Sequence, residues 1–322
     1  MNIGRRRIAF VADVGGTRTR VAVADGNAIV PGSVRRYLNA EWRSFEDLAA
    51  KFAQNECRAR FDSACVAFAG PVNDGRTALT NSDWAIDADA LRTAIGATQT
   101  VLINDLQALG HSLAILGPGE IKPVLKGRKS RQNATRLVVG VGTGFNAAVA
   151  SYVNGTWHVS ASECGHSGLH VRNAEEFALA IHISEAAGFA SMEDVLSGPG
   201  IETTYSWLAS GKYGGQHKCA GSILDAAASG QDQAAVDTER IVVGLLGSVC
   251  GDLALIHLPF GGIYLAGGVA RALVPRLEKR GYAEAFLGKG RFSEFMDQFS
   301  VGAIEDDFAA LKGCAAYLAS LG

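Results

Sequence analysis

Residues 10–25 read FVADVGGTRTRVAVAD and residues 137–159 read LVVGVGTGFNAAVASYVNGTWHV, and these two stretches decide the fold. Each is an apolar run, a glycine-threonine turn and a second run of small and β-branched residues. That is the pattern of a strand that turns tightly and returns beside itself. Aligning Gly16-Thr17 with Gly142-Thr143 lays residues 21–24 over 147–150, and the turn at Asp25-Gly26 is matched by a turn at Asn154-Gly155. A pattern that recurs once, 126 residues on, is no solenoid period but the mark of two similarly built domains. Asp13 is the odd residue. In this register it faces Val139, so the carboxylate belongs to one copy only, and a buried acid is costly unless a cation or a donor compensates it.

Composition agrees with two folded domains. A chain of 322 residues exceeds what one core usually supports. With 48% hydrophobic and 19% charged residues and 39 glycines, it reads as globular and rich in tight turns. Thirty basic residues against 32 acidic give a net charge of -2, which offers no field for nucleic acid or an anionic membrane and points to a small-molecule partner. The six cysteines form no C-x-x-C pair, against a disulfide framework or zinc knuckle and in favour of thiols in a reducing cytosol. The basic start MNIGRRRIAF leads into an apolar stretch broken at Asp13, so no signal-peptide core forms. No run approaches the roughly 20 apolar residues of a membrane helix. A cytoplasmic protein is expected.

Outward from the first hairpin, the periodicity predicts a further strand within 29–38, a helix over 44–60, a buried strand over 63–70, a short helix over 87–95, and a strand running into a helix over 100–116. Residues 117–136, GPGEIKPVLKGRKSRQNATR, hold two of the seven prolines and six Lys or Arg; they read as a solvated connector and domain boundary. Beyond the second hairpin, helices are expected over 174–187, 201–208, 222–228 and 232–256. A strand over 261–268 and a helix over 270–279 follow, and a last helix over 306–321 returns to the first domain. The expected division is 1–116 completed by 304–322, and 117–303.

Three glycine turns are candidates for holding an anion. Gly15-Gly16-Thr17 lets backbone N–H groups approach without Cβ interference, and Gly142-Thr143-Gly144 repeats it. Gly267-Gly268 ends an apolar strand and opens a helix. None fits the Walker or dinucleotide pattern, and a plain hairpin turn is the bland alternative. LINDLQA puts Asn104 and Asp105 at the carboxyl end of a buried strand, where open α/β sheets bind ligands. Asp105 is there either a helix cap or a general base. Glu163 and His166 in SECGHSG, with His170 after them, invite a metal reading, but Gly165 and Gly168 break any helix that would align them. Hydrogen bonds to a polar ligand, or to solvent alone, fit those residues. Glu193 and the segment 80–84, TNSDW, read equally as ligand contacts or as helix starts.

Taken in order, DVGGT (13–17), TNSDW (80–84), IND (103–105), GTG (142–144), ECGH (163–166), VLSGPG (195–200), AGG (266–268) and GKGRF (288–292) resemble the bacterial ATP-dependent glucokinases that lack the zinc motif, within the sugar kinase, actin and Hsp70 superfamily. The resemblance runs nearly end to end. It implies an α/β, two-domain, actin-like (ribonuclease H-like) fold with a duplicated core and an interdomain cleft, binding ATP with Mg2+ and a hexose, commonly as a homodimer. Carried over by position, Asp105 is the catalytic base, and Asn104, Asp105, Glu163, His166 and Glu193 hold the sugar. Ala12, Asp13, Val14, Gly15, Gly16, Thr17, Gly142, Thr143, Gly144, Gly267 and Gly268 hold the nucleotide, with Asp13 at the Mg2+ shell through water. The chain departs from the family at Arg18-Thr19, where Asn-Ala is usual, and at Phe145-Asn146, where Leu-Gly is usual. It also has Glu305-Asp306-Asp307-Phe308 in place of a His-Asp-Asn-Pro-like segment. Competing readings are a sugar-responsive regulator, for which no helix-turn-helix fits before Asp13, an oxidoreductase, which lacks its glycine fingerprint, and a sugar-binding kinase fold without turnover.

Overall fold

A computed structural model describes residues 7–56, 60–70, 76–78, 84–213 and 218–321, with Arg76–Ala78 as backbone only. Most of TNSDW, Arg5, Arg6 and Cys57 lie outside the described residues. The chain forms two compact units: Met1–Gly117 with Val153–Ser160 and Asp306–Gly322, and Pro118–Tyr152 with Ala161–Glu305.

Chain order in the first stretch is β1 (Ile8–Val14), β2 (Arg18–Asp25), β3 (Ala28–Ile29), β4 (Arg35–Leu38), α1 (Phe45–Asn55), β5 (Phe61–Phe68), β6 (Arg76–Ala78), β7 (Ala85–Asp87), α2 (Ala88–Ile95), β8 (Ala97–Asn104) and α3 (Asp105–Ser112). Next come β9 (Ile121–Leu125), β10 (Arg136–Val141), β11 (Phe145–Val153), β12 (Thr156–Ser160), α4 (Ala174–Ala187), α5 (Glu193–Leu196), α6 (Gly198–Leu208), α7 (Ala220–Ser229) and α8 (Gln233–His257). The chain ends with β13 (Ile263–Ala266), α9 (Gly268–Leu273), α10 (Tyr282–Leu287), β14 (Val301–Ile304) and α11 (Ala309–Ser320).

In the first unit the sheet runs β3-β2-β1-β5-β8, with β4 also on β2. The hairpin β1/β2 is antiparallel, whereas β1/β5 and β5/β8 are parallel. Strand β1 is apolar on both faces because both are covered, as parallel strands require. Phe10, Ala12 and Val14 join Phe45, Phe52 and Phe61, with Phe10 edge-on to Phe52 at 5.7 Å and to Phe61 at 5.8 Å. Ala9 and Val11 face Leu311 and Cys314 of α11.

In the second unit the strands run β11-β10-β13-β14-β9. The β10/β13 and β13/β14 pairs are parallel, and both outer pairs are antiparallel. Its core is built on α8, the one described helix long and apolar enough to cross a membrane; most of its length is buried within the unit. Glu239, fully buried on α8, is neutralised by Arg276 and by Arg280 at 2.7 Å.

Three expectations change. The connector is no bare linker: its KPVL segment is β9, an antiparallel edge strand on β14 where Pro123 is tolerated. The helix expected over 270–279 stops at Leu273 and tightens into a 3-10 turn at Val274–Arg276, because Pro275 has no N–H to donate. The duplication also slips by one residue. Asp13 pairs with Arg20, whereas Gly140, not Val139, pairs with Asn146. The first turn closes from Gly15 N–H to Arg18 O and the second from Gly142 N–H to Gly144 O, so the first is one residue longer. Gly140 is therefore the counterpart of Asp13, and the acid is still present in one copy only.

Candidate functional site

In the first unit the site is a sheet edge. The turn after β1 is shaped from beneath by Asn39, a buried residue that sequence reading misses. Its Nδ2 donates to Gly15 O (2.8 Å) and Gly16 O (3.2 Å), while its Oδ1 accepts from Thr19 Oγ1 (2.9 Å). A trans peptide points its N–H opposite to its carbonyl. Drawing those two carbonyls onto Asn39 therefore turns the N–H groups of Gly16 and Thr17 outward, where both residues are exposed. Successive outward N–H groups make an anion cradle. Ala12 and Val14, by contrast, are fully buried and bring only backbone to this edge.

Asp13 has a protein partner. Arg20 Nη1 stands 2.9 Å from its Oδ2. Burial raises the Asp13 pKa, and the Arg20 charge and hydrogen bond oppose that rise. Among the described residues no donor is seen at the second oxygen, Oδ1, which leaves one carboxylate oxygen for a hard, largely hydrated cation.

Asp105 lies on the same edge. Strand β8 ends at Asn104, the N-cap of α3: its Oδ1 accepts from Leu106 N–H (3.0 Å), and Gln107 Oε1 accepts from Asn104 N–H (3.0 Å). Of the two acidic and amide candidates, Asn104 is thus the cap, and Asp105, half-buried, is the first helical residue. Asn104 Nδ2 donates to Gly70 O (3.2 Å), which ties the end of β8 to the segment after β5. The order β1-β5-β8, with Asp13 opposite Ala67 and Phe68 opposite Asn104, puts the glycine turn and Asp105 at the carboxyl ends of strands two apart, about 10 Å. Helix α3 is fixed on two sides. A Cβ on Gly313 of α11 would stand 1.7 Å from Ala108 O, and Gln107 Nε2 donates to Val159 O (2.9 Å).

In the second unit four motifs converge at the end of β10. Gly198, opening α6, donates its N–H to Gly142 O (2.7 Å). Gly267 has φ of +103° and packs on Val141, its absent Cβ leaving 2.4 Å to the carbonyl oxygen, so only glycine fits there. Glu193 Oε2 accepts from Phe145 N–H (2.8 Å), and a Cβ on Gly144 would stand 2.6 Å from that oxygen. Glu193 thus braces the turn carrying Gly142, Thr143 and Gly144, and among the described residues no donor is seen at its other oxygen. The loop with Glu163 and His166 is anchored on the start of β11. Gly165 packs directly on Phe145 O, and Asn146 Nδ2 donates to Glu163 Oε2 (3.1 Å) while its Oδ1 accepts from Cys164 N–H (3.1 Å). Asn146, a departure from the family pattern, is therefore the residue that positions Glu163. Glu163 and His166 are exposed. His170 turns instead to Asp252, with Nδ1 3.3 Å from Oδ2, and no cluster of three metal-ligating His, Cys, Asp or Glu occurs among the described residues.

The family model described as Glucokinase matches residues 10–321. Glucokinase from Chelativorans sp. is 30% identical over 311 residues, covering 96% of this chain and 90% of that one. Glucokinase from Sinorhizobium fredii is 30% identical over 310 residues, covering 96% and 91%. The crystal structure of a glucokinase from an Antarctic psychrotroph superposes with a TM-score of 0.86 at 28% identity, over 98% of this chain and all of that one. A Streptomyces griseus ROK family glucokinase, solved with glucose and AMPPNP, gives 0.60 at 21% identity over 98% of this chain and all of that one, a likeness of fold. The fold is thus the two-domain, actin-like architecture of sugar kinases.

Proposed function

The chain belongs to the glucokinase family, and from that footing we propose that it transfers the γ-phosphoryl group of ATP to the 6-hydroxyl of D-glucose, giving glucose 6-phosphate and ADP. One observation carries the chemistry: Asp105 and the Asn39-shaped cradle share the carboxyl edge of the parallel strands β1, β5 and β8, about 10 Å apart. A base and a phosphate cradle at that spacing serve a hydroxyl that attacks phosphorus.

Asp105 accepts the proton of the 6-hydroxyl as its oxygen attacks the γ-phosphorus in line; the bond from that phosphorus to the β,γ-bridging oxygen breaks, the phosphoryl group passes to the sugar, ADP leaves with the bridging oxygen, and Asp105 is left as the neutral acid. The outward N–H groups of Gly16 and Thr17 take phosphate oxygens, and the turns at Gly142, Thr143, Gly144, Gly267 and Gly268 take the rest of the nucleotide. Asn104, Glu163, His166 and Glu193 hold the sugar hydroxyls. Carboxylates suit this task because each accepts from adjacent hydroxyls with charge assistance, and an epimer leaves one of them unpaired. Asp13, through its Oδ1, is the residue that would hold Mg2+ or its waters, and the ion supplies neutralisation of phosphate charge.

A coupled ADP-release assay over a panel of hexoses tests the reading. Glucose with MgATP is expected to give the highest kcat/KM. Asp105→Asn is expected to lower kcat by about a thousandfold or more while calorimetry still finds glucose bound. Absence of ADP release with every hexose would sink the reading, and full turnover by the Asn variant would remove Asp105 as the base.

A further inference from the structure

The basic connector, which the phosphoryl-transfer site leaves unused, is built into a cavity. Both ends of the loop between β9 and β10 are pinned. Gly127 packs so closely that a Cβ would stand 2.3 Å from Ser300 N, and Arg128 N–H donates to Asp297 O (3.1 Å). At the other end Gly261 N–H donates to Thr135 O (2.7 Å), and a Cβ on Gly261 would stand 2.5 Å from Ala134 O. These contacts hold the loop against the segments that lead into β13 and β14, which carry Phe260 and Gln298.

Between them lies a cavity of about 350 Å3, lined by Arg128, Lys129, Ser130, Arg131, Phe260 and Gln298. Gln298, its amide oxygen toward Arg128, accepts from Nε (3.3 Å) and Nη1 (3.2 Å) and so orients the guanidinium. Among the described residues no carboxylate forms an ion pair with Arg128, Lys129 or Arg131. Three exposed cations within four residues set up a local positive potential that favours an anion. Phe260 rests on Phe299 in a stacked pair (5.4 Å, 25°) and keeps 38% of its surface exposed. An aromatic face rigidly backed in this way offers a platform for a ring.

We propose that this cavity binds a small phosphorylated ligand, its phosphate on Arg128, Lys129 and Arg131 and its ring against Phe260. Arginine presents a planar fork matched to phosphate oxygens and lysine adds a point charge. The volume is that of a small-ligand pocket. A nucleobase and a sugar ring both stack on such a face, so nucleoside monophosphates and hexose phosphates share the required chemistry. The cavity sits at the amino ends of β13 and β14, whereas Gly267 is at the carboxyl end of β13. Four residues of strand, about 13 Å, separate the two, so this ligand does not occupy the nucleotide turns of the same unit.

Hydrogen–deuterium exchange on the full chain tests the site locally, with inorganic phosphate, AMP and glucose 6-phosphate as separate probes. AMP or glucose 6-phosphate is expected to slow exchange over residues 126–135 more than inorganic phosphate does, and whichever acts at lower concentration identifies the source. Arg128→Ala combined with Arg131→Ala is expected to abolish the effect while kcat/KM for glucose stays within about twofold. Phe260→Ala is expected to weaken the ring-bearing probes alone. Exchange that no probe slows, or slowing that survives the double substitution, overturns the site. Inorganic phosphate acting as strongly as the others overturns the role of Phe260. Because the readout lies in the loop, failure here leaves the kinase reading intact, and failure of turnover leaves this site intact.

Discussion

Asn39 sits in the polar run RRYLNAEW, with nothing in its neighbours to mark it, yet it shapes a turn 23 and 24 residues away. Asn39→Ala would leave the carbonyls of Gly15 and Gly16 and the Thr19 hydroxyl without this partner, at a stability cost of about 1–3 kcal/mol. The freed carbonyls would let the peptides rotate, and the cradle would lose its preorganised N–H pair. Initial rates with varied ATP at saturating glucose should show the ATP KM rising about tenfold and the glucose KM within about twofold of the parent. An unchanged ATP KM in a destabilised protein would reduce Asn39 to a packing residue. The glycines of this site are legible because glycine has few other reasons to recur before a threonine. Asn39, Asn146 and the bracing role of Glu193 are not, since each acts on a backbone group distant in sequence. The Asp13 anomaly is legible as an anomaly, but its Arg20 partner depends on strand register, and alignment on Gly-Thr misplaced its counterpart by one residue. A single-residue slip matters in a strand because it exchanges the two faces.

Helix α3 carries Asp105 at its first residue and His111 in its last turn, and His111 couples the helix to pH. The ring is buried and packs at a tilt of 44° against Tyr317, ring centres 4.7 Å apart. Burial, with His158 adding to it, pushes its pKa down to about 4. In the unfolded chain an ordinary histidine titrates near 6.5. Between those values the unfolded state binds the proton that the native ring refuses, so stability is full above pH 6.5 and falls as pH drops toward 4, by about 2–3 kcal/mol. Urea midpoints compared at neutral and mildly acid pH should show this loss. His111→Phe, which keeps a ring against Tyr317 and removes the proton site, should shrink it by the same amount, and an unaltered pH slope would assign the loss to other groups. Elements themselves were legible where caps announce them: Ser44, Asp87, Asn173 and Asp232 each start a helix and accept from its first turn. Ends were less legible. Gly198 and Pro199 fall before the helix expected over 201–208 but begin α6, because the Ser197 side chain accepts from Gly200 N–H and proline is suited to the first helical turn.

At the scale of the whole chain, duplication was legible from two turns, while the path was not. Residues Val153–Ser160 belong with the first unit although the chain on either side belongs to the second, a consequence of packing that no local pattern encodes. The same holds at the end of the chain. Helix α11 supplies Ala310, Leu311, Cys314 and Ala315 to the face of the first sheet that carries Ala9, Val11, Ala22, Cys65 and Ala67. Without it that face would meet water, since β1 and β5 have no polar alternation to present. The second unit closes its own core around α8 and needs nothing from α11. Removing Asp306–Gly322 should therefore lower amide protection in β1, β5 and β8 by about a hundredfold or more, with β10, β13 and α8 protected nearly as before. Fluorescence divides the same way, with Trp42, Trp84 and Trp157 reporting on the first unit and Trp207 on the second. Loss of protection spread evenly over both units would mean that they fold as one cooperative body. Unchanged protection in β1 would mean that the α11 contacts add little to the first sheet. The expected, divided outcome would make residues 306–322 a condition for the edge that carries Asp13 and Asp105, so that a segment about 200 residues further along the chain must be in place before that edge can hold its shape.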